Sequence, residues 1–150
     1  LMPTNLYGPG DNYDPENSHV LPALIRKVHA ALTQGDPHIT LWGSGTPLRE
    51  FLFVDDLAEA CLLAMEVWDQ SGFLNVGYGS DLSIAELAHT ISEVLGYRGE
   101  IRLDPTKPDG TPRKLMDSSR LFSLGWKPKI SLREGIAHAH TWFLENQPAS

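Results

Sequence analysis

The chain reads as an α/β protein. Apolar residues recur at helical spacing in some stretches and as short runs in others, and the two kinds alternate along the chain. Pairs with capping-box spacing, Asp56/Glu59, Ser83/Glu86 and Ser131/Glu134, stand at the head of helical stretches. Turns rich in Gly, Pro, Asp and Asn separate the pieces.

Leu1-Met2 followed at once by turn residues reads as the tail of a strand, and residues 7–18 as a loop. From Val20 to Thr33 the apolar positions Leu21, Leu24, Ile25, Val28, Ala31 and Leu32 follow one helical face. Pro22 fits its first turn, and Gly35 ends it. Ile39 to Trp42 reads as a strand, Gly43-Ser44-Gly45 as a hairpin turn, and Arg49 to Val54 as a second strand. A helix is predicted from Asp55 or Asp56, with the stripe Leu57, Ala60, Cys61, Ala64, Met65 and Trp68. Phe73 to Val76 reads as a buried strand. Ser83 to Leu95 reads as a helix stapled by Leu82 and Leu87 and stopped at Gly96. Glu100 to Leu103 is predicted to be a strand, Asp104 to Arg113 a loop, and Ser118 to Ser123 a short helix. The helix begun by Ser131 buries Leu132, Ile136, Ala139 and Phe143, and Gln147 to Ser150 reads as a frayed C-terminus.

With 41% apolar side chains the chain is expected to build a core rather than stay disordered. Twelve Lys+Arg against 19 Asp+Glu leave a net charge of −7, which argues against nucleic acid as a partner. No apolar run approaches the roughly 18–20 residues that span a bilayer, so no membrane association is expected. A single cysteine, Cys61, excludes an internal disulfide and fits a reducing, cytoplasmic setting. Leu1-Met2-Pro3-Thr4-Asn5 resembles neither a translation start nor a signal peptide. The chain is therefore expected to be the C-terminal part of a longer polypeptide.

Few residues stand out for chemistry. No metal ligand cluster, Walker loop or nucleophile elbow is present in the pattern. Cys61 falls on a core stripe, and His29, His38 and His89 stand alone. His138 and His140, two apart on a helix, face different sides. His19 differs, because it ends a polar loop where a helix begins, at a mouth rather than in a core. Among the cations, Lys27, Arg49, Arg113 and Lys114 stand at helix, strand or loop edges, where basic groups converge on a pyrophosphate if the fold brings them together.

Several stretches carry a family resemblance: Pro3-Thr4-Asn5-Leu6-Tyr7-Gly8-Pro9 with Asp11-Asn12, Asn17-Ser18-His19, Trp42-Gly43-Ser44-Gly45, Arg49-Glu50-Phe51, Val54-Asp55-Asp56, and Lys107-Pro108-Asp109-Gly110-Thr111-Pro112-Arg113-Lys114. Together they resemble the extended short-chain dehydrogenase/reductases that act on nucleotide sugars. Within these they are most similar to the GDP-4-keto-6-deoxy-D-mannose 3,5-epimerase/4-reductases. The resemblance runs along essentially the whole chain and implies the C-terminal part of such a fold: the end of a Rossmann-type parallel sheet plus a smaller α/β substrate-binding domain. It implies that residues 1–18 end the dinucleotide-binding domain and form an active-site loop. Residues 19–150 then belong mainly to the sugar-nucleotide domain, with some elements returning to the first.

The same resemblance implies NADP(H) as cofactor, lined by Pro3, Thr4, Asn5, Leu6 and His19, with His19 also the acid/base of epimerisation. It implies that Lys27, Trp42, Arg49, Asp109 and Lys114 contact a GDP-linked keto-deoxy sugar. Lys27 replaces a common arginine, which keeps the charge and loses the bidentate fork. Gly10 stands where some members have histidine. The glycine-rich dinucleotide loop, the Tyr-x-x-x-Lys pair and the family's catalytic cysteine are expected upstream. The isolated chain is accordingly expected to be inactive, and the longer polypeptide to be a homodimer. The alternatives are another nucleotide-sugar epimerase or dehydratase, or a non-catalytic subunit that binds a nucleotide sugar.

Overall fold

A computed structural model describes residues 1–146, so the expected frayed tail Gln147 to Ser150 lies outside the described residues. In chain order the elements are β1 (Met2–Pro3), β2 (Asn5–Tyr7), α1 (Val20–Gln34), β3 (His38–Trp42), β4 (Leu48–Arg49) and β5 (Phe51–Phe53). There follow α2 (Val54–Val67), β6 (Asn75–Val76), β7 (Leu82–Ser83), α3 (Ile84–Leu95), β8 (Glu100–Asp104), β9 (Arg113–Lys114), α4 (Ser119–Ser123) and α5 (Leu132–Asn146). The α/β alternation is as the sequence predicts.

The strand pairs are mostly parallel: β1 with β6, β2 with β5, β3 with β8 and β4 with β9. Among the described residues only β7 pairs antiparallel, against β4. Parallel pairs need long crossovers, and the helices supply them.

Two clusters of buried side chains lie on either side of the β2–β5 pair. One is built by α1, α3 and α5 with β3, through residues such as Ile25, Val28, Leu87, Ile91 and Ile136. The other gathers Ala60, Leu74, Val76, Leu121 and Trp126. Successive strand side chains point to opposite faces. Phe51 and Phe53 therefore enter the first cluster and Leu52 the second, while Tyr7 joins the first and Leu6 flanks the second. This is why Phe51-Leu52-Phe53 is apolar without alternation: the strand is covered on both sides.

α1 buries Leu21, Leu24, Ile25, Val28 and Ala31 as its spacing predicts, while Leu32 is left exposed. α3 carries the complete Ser83/Glu86 capping box and stops at Gly96. The Ser131/Glu134 box also forms, with Ser131 Oγ donating to Glu134 Oε2 at 2.6 Å and the Glu134 N–H returning to Ser131 Oγ at 3.3 Å.

Elsewhere tertiary contacts override the local pattern. Gly43-Ser44-Gly45 is not a hairpin turn, because β3 pairs with β8 and β4 with β7 and β9. The expected strand Arg49 to Val54 is split at Glu50, whose side chain is fully buried. The strand expected over Phe73 to Val76 shrinks to Asn75–Val76, with Phe73 76% exposed. On α2 only Ala60 of the expected stripe is fully buried. Cys61 is half-buried rather than core, and Met65 is 75% exposed. His29 does not stand alone, since its Nδ1 lies 3.2 Å from His140 Nε2 across the α1–α5 contact.

The Asp56/Glu59 box does not form either. α2 starts at Val54 with no side-chain cap. The buried Asp56 carboxylate instead accepts the N–H of Lys129 at 2.9 Å and of Ile130 at 3.1 Å, which pins the approach to α5. Asp56→Ala leaves both N–H groups without their acceptor. It is expected to cost about 3 kcal/mol by denaturant unfolding, and a loss under about 1 kcal/mol would show that solvent replaces the carboxylate.

Candidate functional site

The parallel pairing of β3 with β8 places Trp42 opposite Asp104 at the carboxyl ends of both strands. The loops that follow, 43–47 and 105–112, leave from the same end, which is where α/β folds bind ligands. The two loops are stitched together. Asp109 accepts the Ser44 N–H at 2.9 Å and the Ser44 hydroxyl at 2.7 Å. Those hydrogen bonds, the side-chain one first, hold the Asp109 carboxyl below the usual carboxylate range. Gly43 has φ 79°, and a side chain there would collide with the Asp109 carboxylate, so the stitch requires glycine.

Between these loops and the start of α1 lies a cleft of about 200 Å³. Trp42, Arg49, Asp109, Gly110 and Val20 are among its lining residues. Trp42 is 67% exposed, an unusual state for so large an apolar ring. Two ammonium groups flank it: Lys27 Nζ at 5.8 Å and Lys107 Nζ at 5.4 Å from the ring centroid, both within cation–π range. Lys27 also donates to the Thr40 carbonyl at 2.8 Å, and burial pulls its ammonium below the usual lysine value.

Arg49 and Lys114 face each other in register on β4 and β9. In-register residues of a parallel pair share a face of the sheet, so two cations sit side by side. The residues before them point the other way, and Arg113 is spent on an ion pair with Asp81 at 2.6 Å. Arg49 donates to the Leu48 carbonyl at 2.7 Å through Nη1. A chain with net charge −7 thus sets Lys27 and Lys107 beside the Trp42 ring and Arg49 in the same cleft, with Lys114 next to Arg49 on the neighbouring strand. That arrangement suits an anionic ligand with a planar group.

His19 occupies the N-cap position of α1, with φ −69° and ψ 164°, next to the cleft residue Val20. Its ring is exposed and makes no hydrogen bond among the described residues, so it is free to turn toward a ligand. The nearby Asp11 carboxyl is raised by burial, and the His19 charge works against that rise.

Of the five substrate-side candidates, Trp42, Arg49 and Asp109 line the cleft, Lys27 flanks the Trp42 ring, and Lys114 is placed only as the register partner of Arg49, outside the lining. Pro3, Thr4, Asn5 and Leu6 do not line it. They form the step from β1 to β2, where the chain changes its parallel partner. Thr4 and Asn5 point their side chains at the Glu50 carbonyl, at 3.3 and 2.7 Å. Lys107 and Ser44 join the site although spacing leaves them indistinguishable from other surface residues. Only the β3–β8 register brings them in. No group of three or more potential metal ligands occurs among the described residues.

Residues 1–77 match the family model described as the NAD dependent epimerase/dehydratase family. GDP-L-fucose synthase 1 of Arabidopsis thaliana is 55% identical over 145 residues, covering 97% of this chain and 45% of that protein. GDP-L-fucose synthase of Escherichia coli (strain K12) is 54% identical over 156 residues, covering 98% of this chain and 49% of that protein. The solved structure of a GDP-L-fucose synthetase from Naegleria fowleri bound to NADP superposes with a TM-score of 0.90 at 31% identity, covering 97% of this chain and 46% of that one. The chain thus spans about half the length of the curated relatives it matches. With its parallel strand pairs and a family match over residues 1–77, the chain belongs to the NAD dependent epimerase/dehydratase family.

Proposed function

We propose that this chain is the substrate-binding, C-terminal part of a cytoplasmic GDP-4-keto-6-deoxy-D-mannose 3,5-epimerase/4-reductase, an enzyme that makes GDP-L-fucose. The observation that carries the reading is the cleft. Its exposed Trp42 ring with Lys27 and Lys107 beside it, and Arg49 in the lining, offer a nucleoside diphosphate both a stacking surface and cations for its pyrophosphate. The similarity to GDP-L-fucose synthases over nearly the whole chain supports it.

In this reading Arg49 and Lys114 bind the diphosphate, Trp42 and Lys27 hold the nucleotide end, and Asp109 holds the two loops of the cleft together through Ser44. His19 exchanges protons at C3 and C5, which the C4 ketone acidifies, and its exposure at the mouth lets it reach the sugar. Reduction at C4 would draw its hydride from a bound NADPH. The residues present fit its nicotinamide end. Pro3 and Asn5 are exposed where β1 ends and the chain switches partner strands, the kind of place where nucleotide cofactors dock on parallel sheets. Pro3, Thr4, Asn5, Leu6 and His19 would hold it. Residues 1–18 are read as the end of the dinucleotide domain with its active-site loop, and the remainder as mainly the sugar-nucleotide domain.

The test is NADPH oxidation by the full-length polypeptide with GDP-4-keto-6-deoxy-D-mannose, beside dTDP- and UDP-linked keto sugars. Consumption with the GDP sugar alone is expected. Equal or greater consumption with another nucleotide would move the assignment to a different nucleotide-sugar enzyme.

A further inference from the structure

Glu50 is a carboxylate with no exposed surface, and no cation faces it among the ion pairs of the described residues. Burying such a group is costly unless hydrogen bonds satisfy it. Its oxygens are satisfied by backbone alone. Oε1 accepts the N–H of Gly79 at 2.8 Å, and Oε2 the N–H of Met116 at 3.2 Å. Gly77 packs so closely that a side chain there would strike both carboxylate oxygens. The Glu50 carbonyl meanwhile accepts the side chains of Thr4 and Asn5.

One residue thus ties three segments. The first is the β1–β2 step, placed above on the cofactor side. The second is the turn between β6 and β7. The third is the stretch just beyond β9, two residues after Lys114. Glu50 also follows Arg49 directly, and it precedes Phe51, the register partner of Asn5. A carboxylate accepts at both oxygens, whereas an amide has one acceptor and would aim its NH2 at an N–H.

We propose that Glu50 is a positioning residue: its carboxylate, held by the Gly79 and Met116 N–H groups, fixes the backbone at residue 50, whose carbonyl holds Thr4 and Asn5 of the cofactor-side step, and so sets that step relative to the substrate-side strands of Arg49 and Lys114. The inference rests on the function proposed above. It requires that Glu50→Gln leave each half-site formed while misaligning the two, so that hydride reaches C4 less often than protons exchange at C3 and C5.

The experiment uses the full-length polypeptide, wild type, Glu50→Gln and Glu50→Asp. Calorimetry gives Kd for NADP+ and for GDP separately. Deuterium uptake from D2O at C3 and C5 without cofactor gives the exchange rate, and NADPH oxidation gives the reduction rate. The ratio of reduction to exchange does not depend on the folded fraction, so a poorly folding variant still reports. The expected result is a ratio at least tenfold below wild type in both variants, with both Kd values within threefold. A ratio within threefold of wild type overturns the inference. So does a fall accompanied by lost NADP+ or GDP binding, because Glu50 then serves one half-site or the fold alone. A wild type that neither exchanges nor reduces the GDP sugar removes the function reading instead, and this inference with it.

Discussion

If the proposed function holds, replacing His19 with glutamine in the full-length polypeptide is expected to lower deuterium exchange at C3 and C5 of the GDP sugar by about 10²- to 10⁴-fold, the usual contribution of a positioned acid or base. The argument is geometric. His19 sits at the N-cap of α1, its backbone extended, its ring exposed and without a hydrogen bond among the described residues. Nothing in the core holds the ring, so glutamine should leave the melting temperature and the Kd for GDP near their wild-type values. Exchange is read by mass spectrometry of the sugar nucleotide in D2O. Exchange within tenfold of wild type would place the proton transfer on another group and leave His19 a contact residue.

Replacing Arg49 with methionine keeps the length of the side chain and removes the guanidinium. Charge-assisted hydrogen bonds contribute about 1.5–3 kcal/mol, so Kd for GDP should rise about 10- to 150-fold. Lys114→Met should weaken binding in the same direction, because Lys114 shares the face of β4–β9 with Arg49. The two are neighbours on one anion, so their effects should not add. Raising the salt concentration should weaken the wild type more than either variant. Calorimetry with GDP reads all of this. Unchanged binding in Arg49→Met, with Trp42→Ala weakened, would confine recognition to the aromatic end of the cleft.

The local signals told most where the physics is local. The face of α1, the capping boxes of α3 and α5 and the stop at Gly96 depend on residues within one or two turns, and the structure contains them all. The Asp56/Glu59 pair shows the limit. It has the same spacing as the other two boxes, yet Asp56 caps the segment before α5, more than 70 residues away. A carboxylate serves whichever N–H groups the fold delivers, and spacing says nothing of those. The apolar run Phe51-Leu52-Phe53 was readable as a strand, but not as a wall between two buried clusters.

The candidate site divides in the same way. By itself the sequence determined the α/β class, the buried faces of α1 and α5 and, through its resemblance to a family, which residues to watch. Tertiary structure alone decided that Trp42, Lys107 and Asp109 meet, since a parallel β3–β8 pair sends both following loops off one end. It decided that Arg49 and Lys114 lie side by side through the β4–β9 register. It also decided that Glu50, an ordinary charged residue in the sequence, is fully buried among backbone donors from two distant loops. Capping and periodicity are short-range, written into neighbours along the chain. Convergence of charge is long-range, and only strand register sets it.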